Sequence, residues 1–440
     1  MNRLARLEAA IQSGLDEEPF VRVRGAVREV APTHFVVSGL SSHLRLGDSV
    51  TVDAGGRAVV GEVVRLDHAA AIIKPFDERI AIGIGAAAHR AGPLAFRPAA
   101  DWKGRVINAL GRPLDGLGPL TVGPRAMPLD ADPPEAMSRS RIHKPLRTGV
   151  RVIDLFTPLC EGQRIGIFAG SGVGKSTLLS MLARCQGFDT VVVALVGERG
   201  REVREFLEGP LASNRHRAVV VVATSDESAM MRRLAPRAGF AVAEYFRDLG
   251  ESVLLIVDSV TRYAHAARDV ALAAGEPAVT RGYAPSVFST LPRLLERAGP
   301  GAEGSGSISA VFSVLVDGDD HNDPVADAIR GTLDGHIVLD RAIADQGRFP
   351  AVNVLGSVSR LADLVWTPEE RTLIRRLRGL VARYEDTRDL RLMGGYQAGS
   401  DAELDQAVGV VPRIYDALRQ FADAPPSRDP FGELAQAIRG

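Results

Sequence analysis

Net charge is almost missing from this sequence: 53 lysines and arginines stand against 54 aspartates and glutamates, a formal balance of -1. A protein that grips a nucleic-acid backbone or an anionic membrane across a broad face carries an excess of positive charge. Any nucleic-acid role would therefore have to rest on a local patch. Cysteine is nearly absent too, with Cys160 and Cys185 as the two examples. They lie far apart in a strand-then-helix reading, which suggests neither a disulfide framework nor a zinc spacing and fits a reducing cytoplasm. The nine histidines form no H-E-x-x-H or similar cluster, so each reads as a surface or packed residue before it reads as a metal ligand. No apolar run approaches the roughly 20 residues of a membrane span. The start, Met1 to Leu7, also lacks the apolar core and small-residue cleavage site of a signal peptide. A protein of this kind working at a membrane is recruited to it.

What is present is ordinary globular material: 45% hydrophobic and 24% charged over 440 residues, enough for two or three cores. Leu4, Leu7, Ile11 and Leu15 recur at steps of three and four, the pattern of a short amphipathic helix within 1–20. Such a helix either docks on its own domain or binds a partner. Over 21–98 short β-rich runs are broken by glycine, at Val21 to Val30, His34 to Ser38, Ser49 to Val52, Ala58 to Leu66 and Ala70 to Lys74. That spacing suggests a small barrel or sandwich. Gly83-Ile84-Gly85-Ala86-Ala87-Ala88 superficially fits a dinucleotide fingerprint, but it leads into His89-Arg90-Ala91-Gly92-Pro93 rather than a helix, and that reading is discarded.

Over 99–365 apolar strands alternate with helical patterns. Arg164 to Phe168, Thr190 to Val196, Ala218 to Ala223 and Val253 to Val257 read as buried parallel strands, and Arg232 to Leu249 as a helix. This is a doubly wound α/β core. Over 366–440 the strands stop; Pro368 to Arg383 and Asp401 to Phe421 look helical, the second opening on Ser400-Asp401-Ala402-Glu403, a candidate capping box.

Ala169 to Ser176 spells A-G-S-G-V-G-K-S, a Walker A phosphate loop with Ala in place of the first Gly. Gly170, Ser171, Gly172, Val173 and Gly174 would turn backbone N–H groups toward phosphates, Lys175 would neutralise β/γ charge, and Ser176, followed by Thr177 at the head of a helix, would ligate Mg²⁺. Val253 to Ser259 is an apolar strand ending in Asp258; paired with the loop, it reads as a Walker B that holds the magnesium shell through water. Glu198, at the end of another strand, falls where a γ-phosphate would lie and is a candidate base for orienting water. A charged loop making its own ion pairs is the alternative for that segment.

Gly197 to Glu202 (G-E-R-G-R-E), with the phosphate loop and Leu254 to Arg262 (L-L-I-V-D-S-V-T-R), resembles the catalytic subunit of rotary ATP synthases and, more closely, their secretion relatives. Pro350-Ala351-Val352-Asn353 with Ser357-Val358-Ser359-Arg360, the stretch Gly104 to Gly116, Gly282 to Phe288, Asp317 to Asp320 with Asp323-Pro324, and Leu333 to Leu339 are similar to the type III export ATPases, and within them to the flagellar protein-export ATPases. Ala284 stands where that motif commonly has proline. The resemblance implies an α/β fold with a RecA-like ATPase core, an N-terminal β-barrel and a C-terminal helical domain. It implies MgATP hydrolysis, with Arg199 and Glu202 supporting the site, Glu202 near the metal, and Arg360 as the arginine finger for the adjacent subunit. A supplied arginine is worth about 10³ to 10⁵ in phosphoryl-transfer rate. Phe349 is expected in the adenine pocket, with Tyr396 as a second ring; a core packing role is the alternative for each.

The implied partners are copies of the same chain in a hexameric ring, a stalk-like protein, a negative regulator or stator at the N-terminal helix, export substrates with their chaperones, and a membrane export gate at the cytoplasmic face of the inner membrane. No nucleic acid is expected. Virulence-type secretion is the alternative within the family. Outside it stand a non-catalytic rotary-synthase subunit, opposed by the presence of both Glu198 and Arg360, and an RNA-terminator ring helicase, opposed by the near-neutral charge and the lack of an aromatic-basic stretch over 20–100.

Overall fold

Six antiparallel strands close into a barrel in the computed structural model, which describes residues 23–209, 211–316 and 323–439. The expected N-terminal helix and the Asp317 to Asp320 motif lie outside the described residues. The chain divides into two compact units, the first ending at Leu94 and taking in the short segments 228–230 and 269–277, the second formed by the remainder.

In the first unit the strands are β1 (Arg24–Val30), β2 (Phe35–Ser38), β3 (Ser49–Asp53), β4 (Ala58–Leu66), β5 (Ala70–Pro75) and β6 (Ala87–Gly92), in the order β1-β2-β5-β4-β3-β6. Alternate residues point inward, so Phe35, Val37, Val50, Val52, Val59, Val63, Ala71 and Ile73 make its core. The closing strand β6 pairs with both β1 and β3. It was not among the strands read from the sequence. It follows directly on the glycines that mimic a dinucleotide fingerprint, and its residues are too small to stand out as an apolar run.

The second unit is built on a nine-stranded sheet. Its main strands are β7 (Val106–Asn108), β8 (Arg164–Ala169), β9 (Thr190–Glu198), β10 (Ala218–Thr224), β11 (Ser252–Asp258), β12 (Ser307–Leu315), β13 (Gly335–Leu339) and β14 (Val358–Ser359). They run β14-β13-β8-β12-β11-β9-β10-β7. All pair parallel except β14, which runs antiparallel to β13 at one edge. Parallel strands buried on both faces read as unbroken apolar runs, as β9 does. The central β12 escaped notice because Ser307, Ser309 and Ser313 interrupt its pattern. Two of these serines have specific work: Ser309 Oγ accepts from Gly162 N at 2.8 Å, and Ser313 Oγ donates to Asp258 at 2.5 Å.

The C-terminal helices α7 (Pro368–Asp386), α8 (Ala402–Leu418) and α9 (Pro430–Arg439) close this unit, numbered after α1 (Lys175–Ala183), α2 (Gly200–Glu208), α3 (Ala229–Asp248), α4 (Val260–Ala273), α5 (Pro285–Leu295) and α6 (Pro324–Thr332). Ile374, Leu377 and Val381 of α7 and Val411 and Ile414 of α8 lie at helical spacing and join the same core cluster as Val152, Phe156 and Ile337 of the α/β body. Burial of each such side chain contributes about 1.5–3 kcal/mol. The helical segment thus extends the α/β core and builds no separate one. Its caps differ from the sequence reading. Ser400 is not the cap of α8; the N-cap is Asp401, whose Oδ1 accepts from Glu403 N at 3.0 Å and Leu404 N at 3.1 Å. A reciprocal capping box occurs instead at α7, between Thr367 and Glu370.

Candidate active site

The carboxyl ends of β8, β9 and β11 come together at one edge of the sheet, where ligands bind in open α/β folds. From β8 the chain passes through Gly170 to Gly174 and enters α1 at Lys175. Gly172 and Gly174 take φ of 78° and 96°, a left-handed backbone that glycine adopts without penalty and that turns successive N–H groups to one side. Buried Val173 anchors the loop from below, and Arg341 Nη2 donates to Ser171 O at 2.9 Å. Ser176 and Thr177, at the head of α1, line a cavity of about 350 Å³ together with Glu198, Glu202 and Asp258.

Four carboxylates, Glu198, Glu202, Glu205 and Asp258, line this cavity, and Lys175 and Arg262 stand against them. The Lys175 ammonium is ion-paired with Asp258 Oδ1, which also accepts from Ser313. Lys175 Nζ lies 3.6 Å and Arg262 Nη2 3.7 Å from Glu198 Oε1. A β-bulge at Gly197 shifts the register of β9 against β10 and aims Glu198 at the loop. Burial, then the hydrogen bond with Glu202 and the charge of Asp258, push the Glu198 carboxyl up to about 7, with Lys175 and Arg262 opposing. The same hydrogen bond holds Glu202 below its ordinary value. Glu198 Oε1 is buried with no hydrogen-bond partner among the described residues. A buried acceptor left open is costly unless something fills it, and a carboxylate with a near-neutral pKa is suited to receive a proton from water.

The donor set suits a hard divalent cation: a serine hydroxyl on Ser176 and carboxylate oxygens on Asp258 and Glu202, beside the open acceptor of Glu198. Glu202 also forms the capping box of α2 with Arg199, whose N–H donates to Glu202 Oε2 at 3.4 Å. Arg199 itself is exposed at the head of that helix.

The remaining expected residues separate. Phe349 packs beside the loop, since a Cβ built on Gly174 would lie 3.5 Å from its ring. Tyr396 has polar partners of its own. Its hydroxyl donates to Asp405 Oδ1 at 2.6 Å, and Gly399 N donates to Asp405 Oδ2 at 2.8 Å, so the ring latches the segment before α8. That latch fits the packing role that is the alternative for Tyr396. An aromatic that sequence reasoning did not single out, Phe421, is 70% exposed. Gln420 before it donates its N–H to Phe349 O at 2.9 Å, and Ala422 after it lines the Ser176 cavity. A phenylalanine just past the last apolar residue of a helix, in Arg419-Gln420-Phe421-Ala422, was the available signal.

Arg360 is not in this cavity. Ser359 pairs with Gly335 at the start of β13, and Arg360 N donates to Asp334 O at 2.9 Å. Arg164 begins β8 at the same level and Ala169 ends it, so five steps of strand, about 16 Å, separate Arg360's backbone from its own phosphate loop. It occupies the opposite edge of the sheet.

Residues 149–359 match the ATP synthase alpha/beta family nucleotide-binding domain, and 366–433 match the T3SS EscN ATPase C-terminal domain. Across the whole chain, a flagellum-specific ATP synthase of Agrobacterium fabrum is 54% identical over 438 residues, covering 100% of this chain and 93% of the relative. This chain belongs to the flagellum-specific ATP synthase family. A type 3 secretion system ATPase of Xanthomonas euvesicatoria is 43% identical over 425 residues, covering 95% and 94% of the two chains. The assembled ATPase EscN of enteropathogenic E. coli superposes with a TM-score of 0.88 at 39% identity, over 94% of this chain and all of that one. A second structure, EscN in complex with its central stalk EscO, gives 0.86 at 38% identity over the same shares. As a flagellum-specific ATP synthase relative the chain is an ATPase, with the α/β core, barrel and C-terminal helices expected from the sequence. No helix among the described residues is long and apolar enough to cross a membrane.

Proposed function

We propose that this chain hydrolyses MgATP as a homomeric, hexameric ring and thereby assists export of protein substrates through a flagellar type III secretion apparatus. The observation that carries the reading is the division of its catalytic groups: Glu198 stands open-handed beside the phosphate loop while Arg360 lies at the far edge of the sheet. One polypeptide thus supplies both halves of a site that forms between neighbours.

Within that site the loop N–H groups and Lys175 hold the β and γ phosphates, and Phe349 with Phe421 flanks the adenine. Ser176, with Asp258 and Glu202 beside it, would hold Mg²⁺, which would supply charge neutralisation on the phosphate oxygens. Glu198 accepts a proton from the attacking water as its oxygen bonds to the γ phosphorus. The β–γ bridging P–O bond breaks, its electron pair leaves with ADP, and inorganic phosphate is the other product. Arg360 of the adjacent copy balances the charge spread over the γ oxygens, and Arg199 shapes the rim by capping α2.

The 54% identity to a flagellum-specific relative, against 43% to a type 3 secretion ATPase, favours the flagellar apparatus. In that setting a stalk-like protein joins the ring; the relative EscN is found in complex with its central stalk EscO. The segment 1–20 receives a negative regulator, the helical region meets substrates and chaperones, and the ring works in the cytoplasm at the inner-membrane export gate. The test is Glu198→Gln: nucleotide binding stays near the parent value while turnover falls by about 10²–10⁴-fold. A non-motile host lacking its own flagellar ATPase regains motility with the parent chain and not with the variant. Hydrolysis near the parent rate by Glu198→Gln removes the base assignment, and rescue of an injectisome strain alone removes the flagellar one.

A further inference from the structure

An arginine that reaches a neighbour's phosphates must be held to within about an ångström, since a misplacement of that size can cost 10²-fold in rate. The strand that carries Arg360 is poorly equipped to hold it. β14 has two residues and two pairing positions, and Val358 on it is 41% exposed; so short a pairing is marginal by itself.

The fixation comes from the first residues of β8. Asp334 Oδ2 accepts from Arg164 N at 3.0 Å and Nε at 3.1 Å, and Oδ1 accepts from Arg164 Nη2 at 3.1 Å. Asp334 N donates back to Arg164 O at 3.0 Å. Asp334 is thus locked to one residue by four hydrogen bonds, two of them a charged fork that is strong and directional. Its own carbonyl then accepts the Arg360 N–H. One residue earlier on each strand the grip repeats: buried Gln163 donates from Nε2 to Ser359 Oγ at 3.1 Å, and Ser359 Oγ donates to Pro158 O at 2.7 Å. Gly335 lets the two strands close, because a Cβ there would sit 2.5 Å from Val358 O and 3.0 Å from Ser359 Cα.

We infer that Asp334 is a positioning residue for Arg360, and that through the Arg164 fork the strand ending in one subunit's phosphate loop sets the arginine offered to the next subunit. The inference rests on the reading of Arg360 as a group acting on the adjacent subunit's nucleotide. Arg164 Nη1 is further paired with Glu296, whose carboxylate and carbonyl also receive Arg139, so the fork is braced from a second side.

The experiment is a double-mutant cycle on the full chain: parent, Asp334→Asn, Arg360→Ala and the double variant, each measured for steady-state ATP hydrolysis and thermal unfolding. Asp334→Asn is expected to lower kcat by about 10–100-fold with KM within about two-fold of the parent, the pattern of a group felt in the transition state. In the Arg360→Ala background it is expected to cost nothing further, because the residue it positions is gone. The same fold-loss in both backgrounds, or a parent-like kcat, overturns the inference. Parent-like hydrolysis by Arg360→Ala alone removes the finger reading and takes the inference with it, a result distinct from failure of Asp334 alone. If Asp334→Asn does not fold, Ser359→Ala runs the same cycle: a loss of about 3–10-fold confined to the Arg360 background supports the clamp, and one that persists without Arg360 overturns it.

Discussion

Lys175 is shared between two carboxylates: its ammonium is paired with Asp258 and stands 3.6 Å from Glu198 Oε1. Without that cation, Asp258, Glu198 and Glu202 would face one another with Arg262 near Glu198 and Arg199 near Glu202 as the compensating charges. Lys175→Ala is therefore expected to weaken ADP binding by roughly 10–150-fold, the equivalent of the 1.5–3 kcal/mol of one hydrogen bond to a charged group. Calorimetric titration with ADP and Mg²⁺ reads this directly, and an unchanged affinity contradicts the placement.

On the proposed reading Phe421, whose neighbours Gln420 and Ala422 reach Phe349 and the Ser176 cavity, flanks the adenine and Tyr396 does not. Phe421→Ala should raise KM for ATP by about 2–10-fold, in keeping with 0.5–1.5 kcal/mol for an aromatic contact. Tyr396→Phe, which keeps the ring and loses the bond to Asp405, should leave KM alone. Parallel saturation curves decide it, and the reverse ordering restores Tyr396 to the adenine.

The Gly104 to Gly116 stretch turns out to be held by a buried ion pair. Arg105 Nε and Nη2 donate to Asp115, and the N–H groups of Val106 and Leu117 donate to the same carboxylate. Burial pushes the Asp115 carboxyl up, but Arg105 and these N–H groups outweigh it and hold it well below the usual range. A carboxyl whose folded pKa is depressed stabilises fully above its unfolded value of about 4, and that stabilisation is lost as pH falls through the folded value. Asp115→Asn should thus lower stability by about 1.5–3 kcal/mol at pH 7. The gap should be constant from pH 8 to 6 and narrow below about 4. Urea midpoints across pH check both the size and the direction.

Cys160 and Cys185 are both free and buried. Burial pushes the Cys160 thiol up to about 11 and raises Cys185 as well, so neither presents thiolate at neutral pH. Folded protein should leave a thiol-reactive chromogen unreacted at pH 8, and both sulfurs should react after denaturation. Fast reaction of either in the native state would contradict their burial.

Ile414 of α8 is fully buried in the core shared by the helices and the α/β body. Ile414→Ala should cost about 2–5 kcal/mol and broaden or lower the single melting transition of that unit. A separate early transition for the helices would show instead that they fold on their own.

What the sequence disclosed follows from how local each feature is. The phosphate loop was legible because its ligands are contiguous, and β9 and β11 because parallel strands buried on both faces advertise themselves as apolar runs. β12 was not, since serines that serve Gly162 and Asp258 break its pattern. Nor was β6, whose alanines carry little apolar signal. Phe421 could not be placed because its proximity to Phe349 comes from the docking of α8, a tertiary fact without a local mark. The polar latch of Tyr396 on Asp405 is likewise invisible until the intervening loop is folded. Arg360 was identified by its motif, yet its separation from Lys175 needed the register of β13 and β14.

That separation sets an arithmetic for assembly. On the proposed reading, an arginine on one edge of the sheet and a phosphate loop on the other would make a head-to-tail contact, which generates arcs or closed rings rather than two-fold pairs. On this arrangement an open arc of n chains completes n−1 sites and leaves one loop without an arginine at one end and one arginine without a loop at the other. Turnover per chain then climbs with each added copy and takes its last step when the arc closes.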